Sequence, residues 1–357
     1  MNPDPGFWQG RRVLLTGHTG FKGAWAALWL ERLGAEVYGL SRPADTQPSL
    51  YAELAPRHAG VLCDLGDRAA VKAAVAQARP QIVLHMAAQA LVRRSYADPV
   101  ETFASNVMGT VHLLDALGQQ EGLEAVLVVT SDKVYAHGRG QGQGAGPFVE
   151  GDALGGIDPY SASKACVEHV AASWAQGLWV GGPPLVTARA GNVIGGGDWA
   201  VDRIIPDVWR AWRQGVPLTL RNPHATRPWQ HVLDALSGYF LYVEGLLRAG
   251  GDRLPRTLNF SPVAGQGLDV AAIVAAMTKA LGGAAAPWQR DERQAPHEAA
   301  SLRLDPGLAE RALGWRARLP VETALGLTAD WYARHGSGEA ARQLCLEQIA
   351  YFESQPS

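Results

Sequence analysis

Tyr160 and Lys164 have the residue types and the spacing of a catalytic pair that removes a proton from an alcohol. Residues four apart lie on the same face of a helix, so the lysine ammonium is expected to lie beside the phenol. That charge would lower the phenol's pKa from its ordinary value of about 10 and leave a tyrosinate as the base. Ser131, at the end of an apolar run, would hydrogen-bond the alcohol oxygen. The pair alone is common in ordinary helices, so its meaning depends on the neighbouring motifs.

Asp132 and Lys133 directly follow Ser131 and are more than an alcohol oxidation requires. An acid and an amine at this place provide for further proton transfers. One interpretation is that the lysine is unprotonated and acts as a base. The other is an ion pair with Asp132 that only holds the turn. The additional pair indicates a reaction with more steps than a simple oxidation.

A glycine-rich segment over residues 17–23 predicts a dinucleotide site. Glycines at every third position let the backbone turn tightly and approach a pyrophosphate, which then sits on the N–H groups of a helix N-terminus. Ordinary turns also contain such glycines, but the position between a strand and a helix favours the dinucleotide. The expected cofactor contacts are Gly17, His18, Thr19, Gly20, Phe21, Lys22, Gly23, Ser41, Arg42, Asp64, Leu65, Ala87, Ala88, Gln89, Asn106, Tyr160 and Lys164.

The end of the second predicted strand leaves the choice of cofactor open. An acid usually stands there to bind the ribose 2′-hydroxyl of NAD, and this chain has Ser41 and Arg42 instead. Ser41 could bind a hydroxyl, whereas Arg42 could hold the 2′-phosphate of NADP or be merely solvated. We expect NAD, with NADP as the alternative.

The elements around these residues alternate between strand and helix, which is typical of α/β proteins with a doubly wound parallel Rossmann sheet. Asp158 and Pro159 predict that a helix begins just before Tyr160, with the aspartate as its N-cap. Predicted strands are 12–16, 36–40, 61–63, 82–85, 126–130 and 185–189, and predicted helices are 21–33, 99–117, 158–174, 270–281 and 322–332.

The second half of the chain is less regular. We expect a dinucleotide-binding domain over 1–189 and a smaller mixed lobe over 190–357 that binds the substrate, with some segments returning to the Rossmann core. Residues 199–229, rich in Trp, Pro and Arg, predict loops and short helices. Gly and Gln dominate 136–146, which predicts a mobile loop.

Composition excludes several classes of protein. With 357 residues and a formal net charge of -2, the chain lacks the basic excess of a nucleic-acid-binding surface. It shows no secretory signal and no apolar run long enough to cross a bilayer. Cys63, Cys166 and Cys345 are far apart and lack metal-ligand spacing, which predicts thiols in a reducing compartment. We therefore expect a soluble cytoplasmic enzyme without a metal.

Eight stretches together resemble the extended short-chain dehydrogenase/reductase family over nearly the whole chain. Two of them, the glycine loop and Ser131-Asp132-Lys133, are typical of the CDP-sugar branch of its nucleotide-sugar 4,6-dehydratases. The stretches are 16–23 (TGHTGFKG), 85–89 (HMAAQ), 106–110 (NVMGT), 130–133 (TSDK), 158–161 (DPYS), 189–199 (RAGNVIGGGDW), 227–232 (RPWQHV) and 296–299 (PHEA).

The resemblance implies an oxidation, an elimination and a reduction on one sugar. Tyr160 would take the 4-hydroxyl proton while C4 passes hydride to the cofactor. Lys133 would then remove the proton from C5, and Asp132 would protonate the departing 6-hydroxyl. Hydride returning to C6 would complete the conversion of CDP-glucose into CDP-4-keto-6-deoxyglucose.

The resemblance also implies the residues that bind the sugar nucleotide. Arg93, with its neighbours Arg94 and Ser95, would face the sugar. The other expected substrate contacts are Asn192, Arg203 and Arg227 at the diphosphate, Arg221 near the base, and His297. Relatives carry an aromatic loop where this chain has 136–146, and the residues after His297 also differ. The base and the hexose therefore stay open.

Two alternative functions, a 4-epimerase and a dinucleotide sensor, and a homodimeric assembly remain to be considered. A nucleotide-sugar 4-epimerase needs the same Ser, Tyr and Lys but no acid and base for C5 and C6, so Asp132 and Lys133 speak against it. A non-catalytic dinucleotide sensor would have lost the Tyr/Lys pair, which is intact here. By resemblance, helices 99–117 and 158–174 would form a contact between two copies, which predicts a homodimer, although their apolar faces would equally suit the core.

Overall fold

The structure is a computed structural model whose described residues are 1–136, 146–250, 253–262, 268–283, 288–291 and 302–356. The predicted mobile loop at 136–146 therefore lies almost entirely outside the described residues. Within the described ranges, no helix combines the length and the apolar character needed to cross a membrane.

Parallel strands form a central sheet, with three short two-stranded pairs beside it. The strands are β1 (Arg12–Thr16), β2 (Glu36–Ser41), β3 (Ala59–Leu62), β4 (Ile82–His85), β5 (Ala125–Val129), β6 (Leu185–Ala190), β7 (Val193–Ile194), β8 (Leu218–Leu220), β9 (Thr226–Arg227), β10 (Gln230–His231), β11 (Thr257–Phe260), β12 (Leu268–Asp269) and β13 (Trp288–Arg290). The central sheet runs in the order β11-β6-β5-β4-β1-β2-β3. This crossover arrangement is that of a doubly wound fold.

The helices connect the strands and cover the sheet. They are α1 (Pro5–Trp8), α2 (Phe21–Arg32), α3 (Leu50–Leu54), α4 (Arg68–Ala78), α5 (Val92–Ala97), α6 (Pro99–Phe103), α7 (Gly109–Leu117), α8 (Pro159–Ser173), α9 (Ile204–Gln214), α10 (Val232–Ala249), α11 (Val270–Ala280), α12 (Gly307–Leu313), α13 (Val321–Gly336) and α14 (Ala341–Ser354). Two π-helical turns, Ala104–Met108 and Trp174–Leu178, and a 3₁₀ turn, Asp132–Val134, interrupt the regular elements.

Two apolar cores lie on opposite faces of the sheet. On one face α2, α10, α13 and α14 bury large aromatic side chains that include Trp25, Trp29 and Phe352. On the other face α4, α7 and α8 pack against the strands. Because both faces are covered, β4 and β5 consist of buried apolar residues apart from His85. The carboxyl ends of the strands are left as the edge at which side chains can meet a ligand.

The predicted α/β fold class is confirmed. The bounds of β1 and β4 agree with the prediction, and the other four predicted strands differ by one or two residues at their ends. The predicted helix 99–117 is broken by a π-helical turn into α6 and α7. Within 199–229, where short helices are expected, α9 has 11 residues. The sequence patterns do not predict α10 and α14.

The late strand β11 joins the edge of the central sheet. It pairs in parallel with β6, with Thr257 opposite Thr187 and Phe260 opposite Ala190. Between these strands the chain forms the region around α9 and then returns through α10, whose buried residues belong to the same core as α2. The domain boundary between 189 and 190 stays a prediction.

Candidate active site

The helix that carries Tyr160 and Lys164 begins where the sequence predicts. Asp158 is the N-cap of α8, and its carboxylate accepts the Ser161 backbone N–H at 2.9 Å and the Ser161 hydroxyl at 2.5 Å. Pro159 takes the first helical position, where its missing N–H loses no intrahelical partner. The cap therefore places Tyr160 in the first turn and Lys164 in the second, at the carboxyl edge of the sheet.

Burial dominates the acid–base properties of this pair. It raises the pKa of Tyr160 to about 12, and a hydrogen bond with Ser131 acts in the opposite direction. Lys164 donates to the carbonyl oxygen of Val129 at 3.1 Å, and burial lowers the pKa of its ammonium to about 8. The predicted lowering of the phenol's pKa by Lys164 is therefore wrong for this structure, because burial disfavours the phenolate more strongly than the neighbouring groups favour it.

Ser131, Asp132 and Lys133 lie together at the turn after β5. The Ser131 hydroxyl accepts the Lys133 backbone N–H at 3.2 Å and donates to Oδ1 of Asp132 at 3.0 Å. Nζ of Lys133 lies 3.3 Å from the same Oδ1. The other carboxylate oxygen, Oδ2, is buried and has no hydrogen-bond partner among the described residues. The turn thus contains the ion pair between Asp132 and Lys133 that one interpretation of the sequence predicts. It also leaves Oδ2 of Asp132 without a partner among the described residues.

Lys22 brings a further amine from the glycine loop into the same group of side chains. Its Nζ donates to the Tyr239 hydroxyl at 3.4 Å and lies 5.6 Å from the centre of that ring. Burial lowers the pKa of Lys22 to about 7. The charges of Arg203 and Lys164 act in the same direction, and Asp132 opposes them. The cofactor loop and the catalytic pair therefore share one electrostatic environment.

The glycine loop packs too closely for a side chain at two of its positions. Gly17 has a φ of +77°, and a Cβ there would lie 2.8 Å from Cα of Ala87. A Cβ on Gly23 would overlap the carbonyl oxygen of Gly17. Gly20, the N-cap of α2, provides no side-chain cap, so the first N–H groups of the helix are open to an anion. The loop fits the pyrophosphate of a dinucleotide.

The side chain of His18, predicted as a cofactor contact, does not line the cleft. Its ring packs edge-on against Tyr51 and His58, at 4.9 and 5.6 Å between ring centres. Gly39 makes room for it, because a Cβ there would lie 2.7 Å from the imidazole. Burial lowers the pKa of His18 to about 4. The side chain is therefore part of the packing behind the loop.

Asn106, also predicted as a cofactor contact, is buried behind Gln89. Its Oδ1 accepts the Gln89 backbone N–H at 2.7 Å, and its Nδ2 donates to the Gln89 carbonyl at 3.1 Å. The same Nδ2 donates to Oγ of Ser163 on α8 at 2.9 Å. Asn106 therefore positions the segment after β4, whose residues Ala87, Ala88 and Gln89 do line the cleft.

One end of the cleft is formed by the residues that follow β2 and β3. Those predicted from the sequence all line it, namely Ser41, Arg42, Asp64 and Leu65. The Ser41 and Thr19 hydroxyl oxygens are 2.8 Å apart. Nη1 of Arg42 lies 3.0 Å from a carboxylate oxygen of Glu101 and 3.7 Å from one of Asp64. Arg42 is thus held by acids rather than merely solvated.

The other end of the cleft carries the residues predicted for the sugar nucleotide. Those in the described part are Arg93, Asn192, Arg203, Arg221 and Arg227, and all of them line the cleft. Arg93 pairs with Asp202 at 2.6 Å, and Arg203 pairs with Asp198 at 3.3 Å. Oδ1 of Asn192 is buried without a partner among the described residues. The predicted contact His297 lies outside the described residues.

Ser95, expected to face the sugar, is fully buried behind the catalytic helix. Its hydroxyl accepts the backbone N–H of Tyr160 at 3.1 Å and donates to the Val92 carbonyl at 2.6 Å. The expectation for Ser95 is therefore wrong, because the start of α8 packs on it. The serine instead fixes the position of the Tyr160 backbone.

A single cleft joins the two ends, with a volume of about 1500 Å³. A pocket for one drug-sized ligand has roughly 300–1,000 Å³. The cleft therefore has room for a dinucleotide and a second nucleotide together. Tyr160, Ser131, Asp132 and Lys133 lie between the two groups of predicted binding residues and line the same cleft.

Several cleft residues are not predicted from the sequence: Asp198, Asp202, Asp207 and Arg210. Arg210 donates to Asp207 at 2.5 Å. Asp202 pairs with Arg93, which lies 109 positions earlier in the chain. Asp198 lies in the 189–199 motif, and Asp207 and Arg210 are three residues apart on α9, so both have a local signal. Asp202 pairs with Arg93 through the fold, which no local pattern reveals.

Comparisons with known proteins show relatives in sequence and in fold. A CDP-glucose 4,6-dehydratase of Salmonella typhimurium is 42% identical over 347 residues, which cover 94% of this chain and 94% of that protein. The solved UDP-glucose 4-epimerase of Stenotrophomonas maltophila, with bound NAD and formylated UDP-arabinopyranose, superposes with a TM-score of 0.79 at 24% identity and covers 92% of this chain and 100% of that chain.

The UDP-glucose 4-epimerase of Thermus thermophilus in complex with NAD has a TM-score of 0.75 at 26% identity, covering 90% of this chain and 98% of that chain. Residues 13–251, more than half of the sequence, match the sequence model of a protein family, which confirms the family resemblance. The chain belongs to the NAD dependent epimerase/dehydratase family.

Proposed function

We propose that the protein is an NAD-dependent 4,6-dehydratase that converts CDP-glucose into CDP-4-keto-6-deoxyglucose. The observation that carries the proposal is the turn of Ser131, Asp132 and Lys133, which places a carboxylate and an ammonium in the same cleft as Tyr160. The 42% identity to the Salmonella typhimurium CDP-glucose 4,6-dehydratase supports this choice of nucleotide and sugar.

The first step is proton removal from the sugar 4-hydroxyl by Tyr160. A hydrogen bond with Ser131 orients the phenol. The hydroxyl of Ser131 would also hydrogen-bond the substrate oxygen. Because burial raises the pKa of Tyr160 to about 12, the phenol needs added positive charge to act as a base near neutral pH. When bound, NAD would supply a hydride acceptor for C4, the hydride donor for C6 and a positive charge that favours the phenolate. Lys164 holds the helix turn in place through Val129.

The second step is loss of water across C5 and C6. A ketone at C4 acidifies the neighbouring C5–H, so a nearby amine can remove that proton. We assign this role to the neutral amine of Lys133, which forms when the ammonium of the ion pair gives its proton to Asp132 and leaves the aspartate as the acid. The lysine side chain is 23% exposed and lines the cleft. Asp132 would give a proton to the departing 6-hydroxyl, and its unpartnered Oδ2 is the atom available for it. Asp132 and Lys133 thus divide the acid and base roles.

The cofactor would lie along the edge of the sheet. Gly17 and Gly23 leave no room for a side chain, and Gly20 leaves the first N–H groups of α2 without a side-chain cap, so the backbone there could approach a pyrophosphate. The other residues proposed to line its site are Thr19, Phe21, Lys22, Ser41, Arg42, Asp64, Leu65, Ala87, Ala88, Gln89, Tyr160 and Lys164.

The sugar nucleotide would occupy the opposite end of the cleft. Asn192, Arg203 and Arg227 are proposed to bind its diphosphate, since guanidinium groups and amides suit phosphate oxygens. Arg221 is proposed to lie near the base and Arg93 near the hexose. The proposal for His297 rests on the family motif alone.

A direct assay separates this proposal from the runner-up, a nucleotide-sugar 4-epimerase. The purified protein is incubated with CDP-glucose and NAD, and alkali is added. We expect the near-ultraviolet absorbance of a 4-keto sugar, and mass loss of one water from the substrate. Conversion without water loss would indicate epimerisation and contradict the proposal. UDP-glucose and dTDP-glucose in parallel reactions test the choice of nucleotide.

Replacement of Lys133 by methionine tests its assigned role. The Lys133→Met variant should still reduce bound NAD when CDP-glucose is added, but form dehydrated product at least about 10²-fold more slowly. In ²H₂O the wild-type product should carry deuterium at C5, whereas the sugar recovered from the variant should not. Tyr160→Phe is the matched control, because it should block reduction of NAD as well. Normal dehydration by Lys133→Met would contradict the assignment.

A homodimer is proposed from the exposed side chains of the segment around α6. Val100, Phe103 and Met108 are 78%, 37% and 47% exposed, which is unusual for three large apolar residues on one short stretch. A second copy of the chain would cover them. Light scattering should give twice the chain mass for the wild type, and Val100→Glu should shift the protein towards the monomer.

A further inference from the structure

Arg42 stands at the position where Rossmann proteins distinguish NAD from NADP, and acids surround it. Its Nη1 lies 3.0 Å from Glu101 and 3.7 Å from Asp64, and its Nη2 lies 3.5 Å from Asp45. The Arg42 side chain is 32% exposed and lines the cleft, as do Asp45 and Asp64, which are 63% and 51% exposed. The guanidinium donates hydrogen bonds to Glu101 and Asp45, so a phosphate would have to compete with these carboxylates for it.

A second arginine shares the same acids. Arg94 lies 3.3 Å from Asp45 and 3.3 Å from Glu101. The cluster of Arg42, Arg94, Asp45, Asp64 and Glu101 therefore contains two positive and three negative charges. We call it the acidic clamp. Its formal charge is negative, although the β2 end itself supplies only Ser41 and Arg42.

The central acid of the clamp comes from a distant part of the chain. Glu101 lies on α6, where its backbone N–H donates to Oδ1 of the N-cap Asp98 at 2.9 Å. One of its carboxylate oxygens contacts Arg42 and Arg94, while the other, Oε2, is buried without a partner among the described residues. The helix start thus fixes the carboxylate against the arginine that follows β2.

The backbone that carries Arg42 is also fixed. The Thr19 hydroxyl, in the glycine loop, donates to the Arg42 carbonyl at 2.8 Å and lies 2.8 Å from the Ser41 hydroxyl oxygen. The end of β2 is therefore tied to the loop that fits the pyrophosphate. The adenosine ribose of a dinucleotide bound in that loop would lie next to the clamp, since the ribose follows the pyrophosphate at the end of β2.

We propose that the acidic clamp makes the cofactor site selective for NAD by withdrawing Arg42 from the ribose. This rests on the proposed dinucleotide function of the cleft. A 2′-phosphate, with a charge of about −1.5 to −2, would have to compete with Asp45, Asp64 and Glu101 for the guanidinium. A free 2′-hydroxyl meets no such repulsion and can donate to a carboxylate. Asp45 and Asp64 line the cleft and could accept from that hydroxyl, whereas Glu101 does not line it and acts by holding Arg42.

Cofactor binding by the purified protein tests the proposal without any sugar present. Calorimetric titration with NAD and with NADP should show that the wild type prefers NAD. The double variant Glu101→Gln/Asp45→Asn should lower this preference at least about tenfold, mainly through tighter NADP binding, because Arg42 is then released. Adding Arg42→Gln to that variant should abolish the gained NADP affinity. Glu121→Gln, which removes an exposed charge outside the cleft, should leave the preference unchanged.

Two results would contradict the proposal that the acidic clamp makes the site selective for NAD. One is a wild type that binds NADP as tightly as NAD, and the other is a folded double variant whose preference is unaltered. If the double variant does not fold, Arg42→Gln alone decides, because the clamp predicts little loss of NADP binding from it. A large loss would show that Arg42 already holds a phosphate. A wild type that binds neither nucleotide would instead contradict the proposed dinucleotide site.

Discussion

Two buried carboxylates near the end of β5 differ in how completely they are satisfied. Glu168, on α8, is 3% exposed, and both of its oxygens have partners. Arg189 donates to the two oxygens at 2.9 Å each, and the hydroxyls of Thr130 and Thr187 add bonds of 2.5 and 2.8 Å. Asp132 is 1% exposed, yet only its Oδ1 is bonded.

The difference separates an ion pair that is fully hydrogen-bonded from the one to which we assign the proposed proton transfers. A buried pair with every oxygen hydrogen-bonded fixes the packing of its elements, here α8 against β5 and β6, and offers no atom to a substrate. The Asp132–Lys133 pair opens into the cleft and keeps one oxygen unpartnered. The same residue chemistry therefore positions elements at Glu168, and at Asp132 it fits the proton transfer that we propose.

The largest effect is expected from breaking the satisfied pair. Arg189→Met leaves Glu168 as a buried charge without its cation, so the free energy of unfolding should fall by about 3–5 kcal/mol. Denaturant titration measures the change. The double variant Arg189→Met/Glu168→Gln should recover part of the loss, because the uncompensated charge is gone. A decrease below about 1 kcal/mol for Arg189→Met would show that the pair contributes little.

The Asp132–Lys133 pair should show the opposite pattern. Asp132→Asn removes the acid for the departing hydroxyl, so the rate of dehydration should fall by about 10²–10³-fold. The free energy of unfolding should change by less than about 1 kcal/mol, since the asparagine retains the acceptor that contacts Ser131. Rates come from the alkali assay and stability from denaturant titration. A variant that is active but strongly destabilised would reverse the assignment of the two pairs.

A third buried carboxylate, Asp234, sharpens the comparison through its pH dependence. It accepts the backbone N–H groups of Arg318 and Leu319 at 2.7 and 3.4 Å, and burial raises its pKa from 3.8 to about 7. The folded protein therefore holds this proton more tightly than the unfolded chain does. The stability that Asp234 contributes is complete below about pH 4 and is lost as the pH rises towards and through about 7.

Replacing this group should remove that pH dependence. Between about pH 4 and pH 7, the free energy of unfolding of Asp234→Asn should rise relative to that of the wild type, in the same denaturant titrations. Asparagine keeps an acceptor for the two backbone N–H groups, so the stability of the variant at low pH should change little. Parallel pH profiles for variant and wild type would mean that the carboxylate ionises normally in the fold.

Local signals account for what the sequence predicts well. Asp158 and Pro159 fix the start of α8, so Tyr160 and Lys164 lie where expected. Apolar runs between glycine-containing loops give β1 and β4 with their observed bounds. The turn that holds Ser131 and Asp132 follows directly from the end of β5.

The missed features depend on residues far apart in the chain. The acidic clamp joins Arg42 to Glu101 across 59 positions. The inward turn of the His18 ring depends on the absence of a side chain at Gly39. The pKa of Tyr160 follows from burial that is created by the whole fold. None of these has a periodic or local pattern, so sequence reasoning assigns the residues correctly to a region and misses their contacts.

The pairing of β11 with β6 has a consequence for synthesis on the ribosome. Residues 185–190 are made about 70 residues before Phe260 completes their neighbour. At a translation speed of about 5–20 residues per second, the edge of β6 stays uncovered for roughly 4 to 14 seconds. An unpaired apolar strand edge can pair with another nascent chain. During this interval of synthesis, the edge of β6 can therefore pair incorrectly with a strand of another chain.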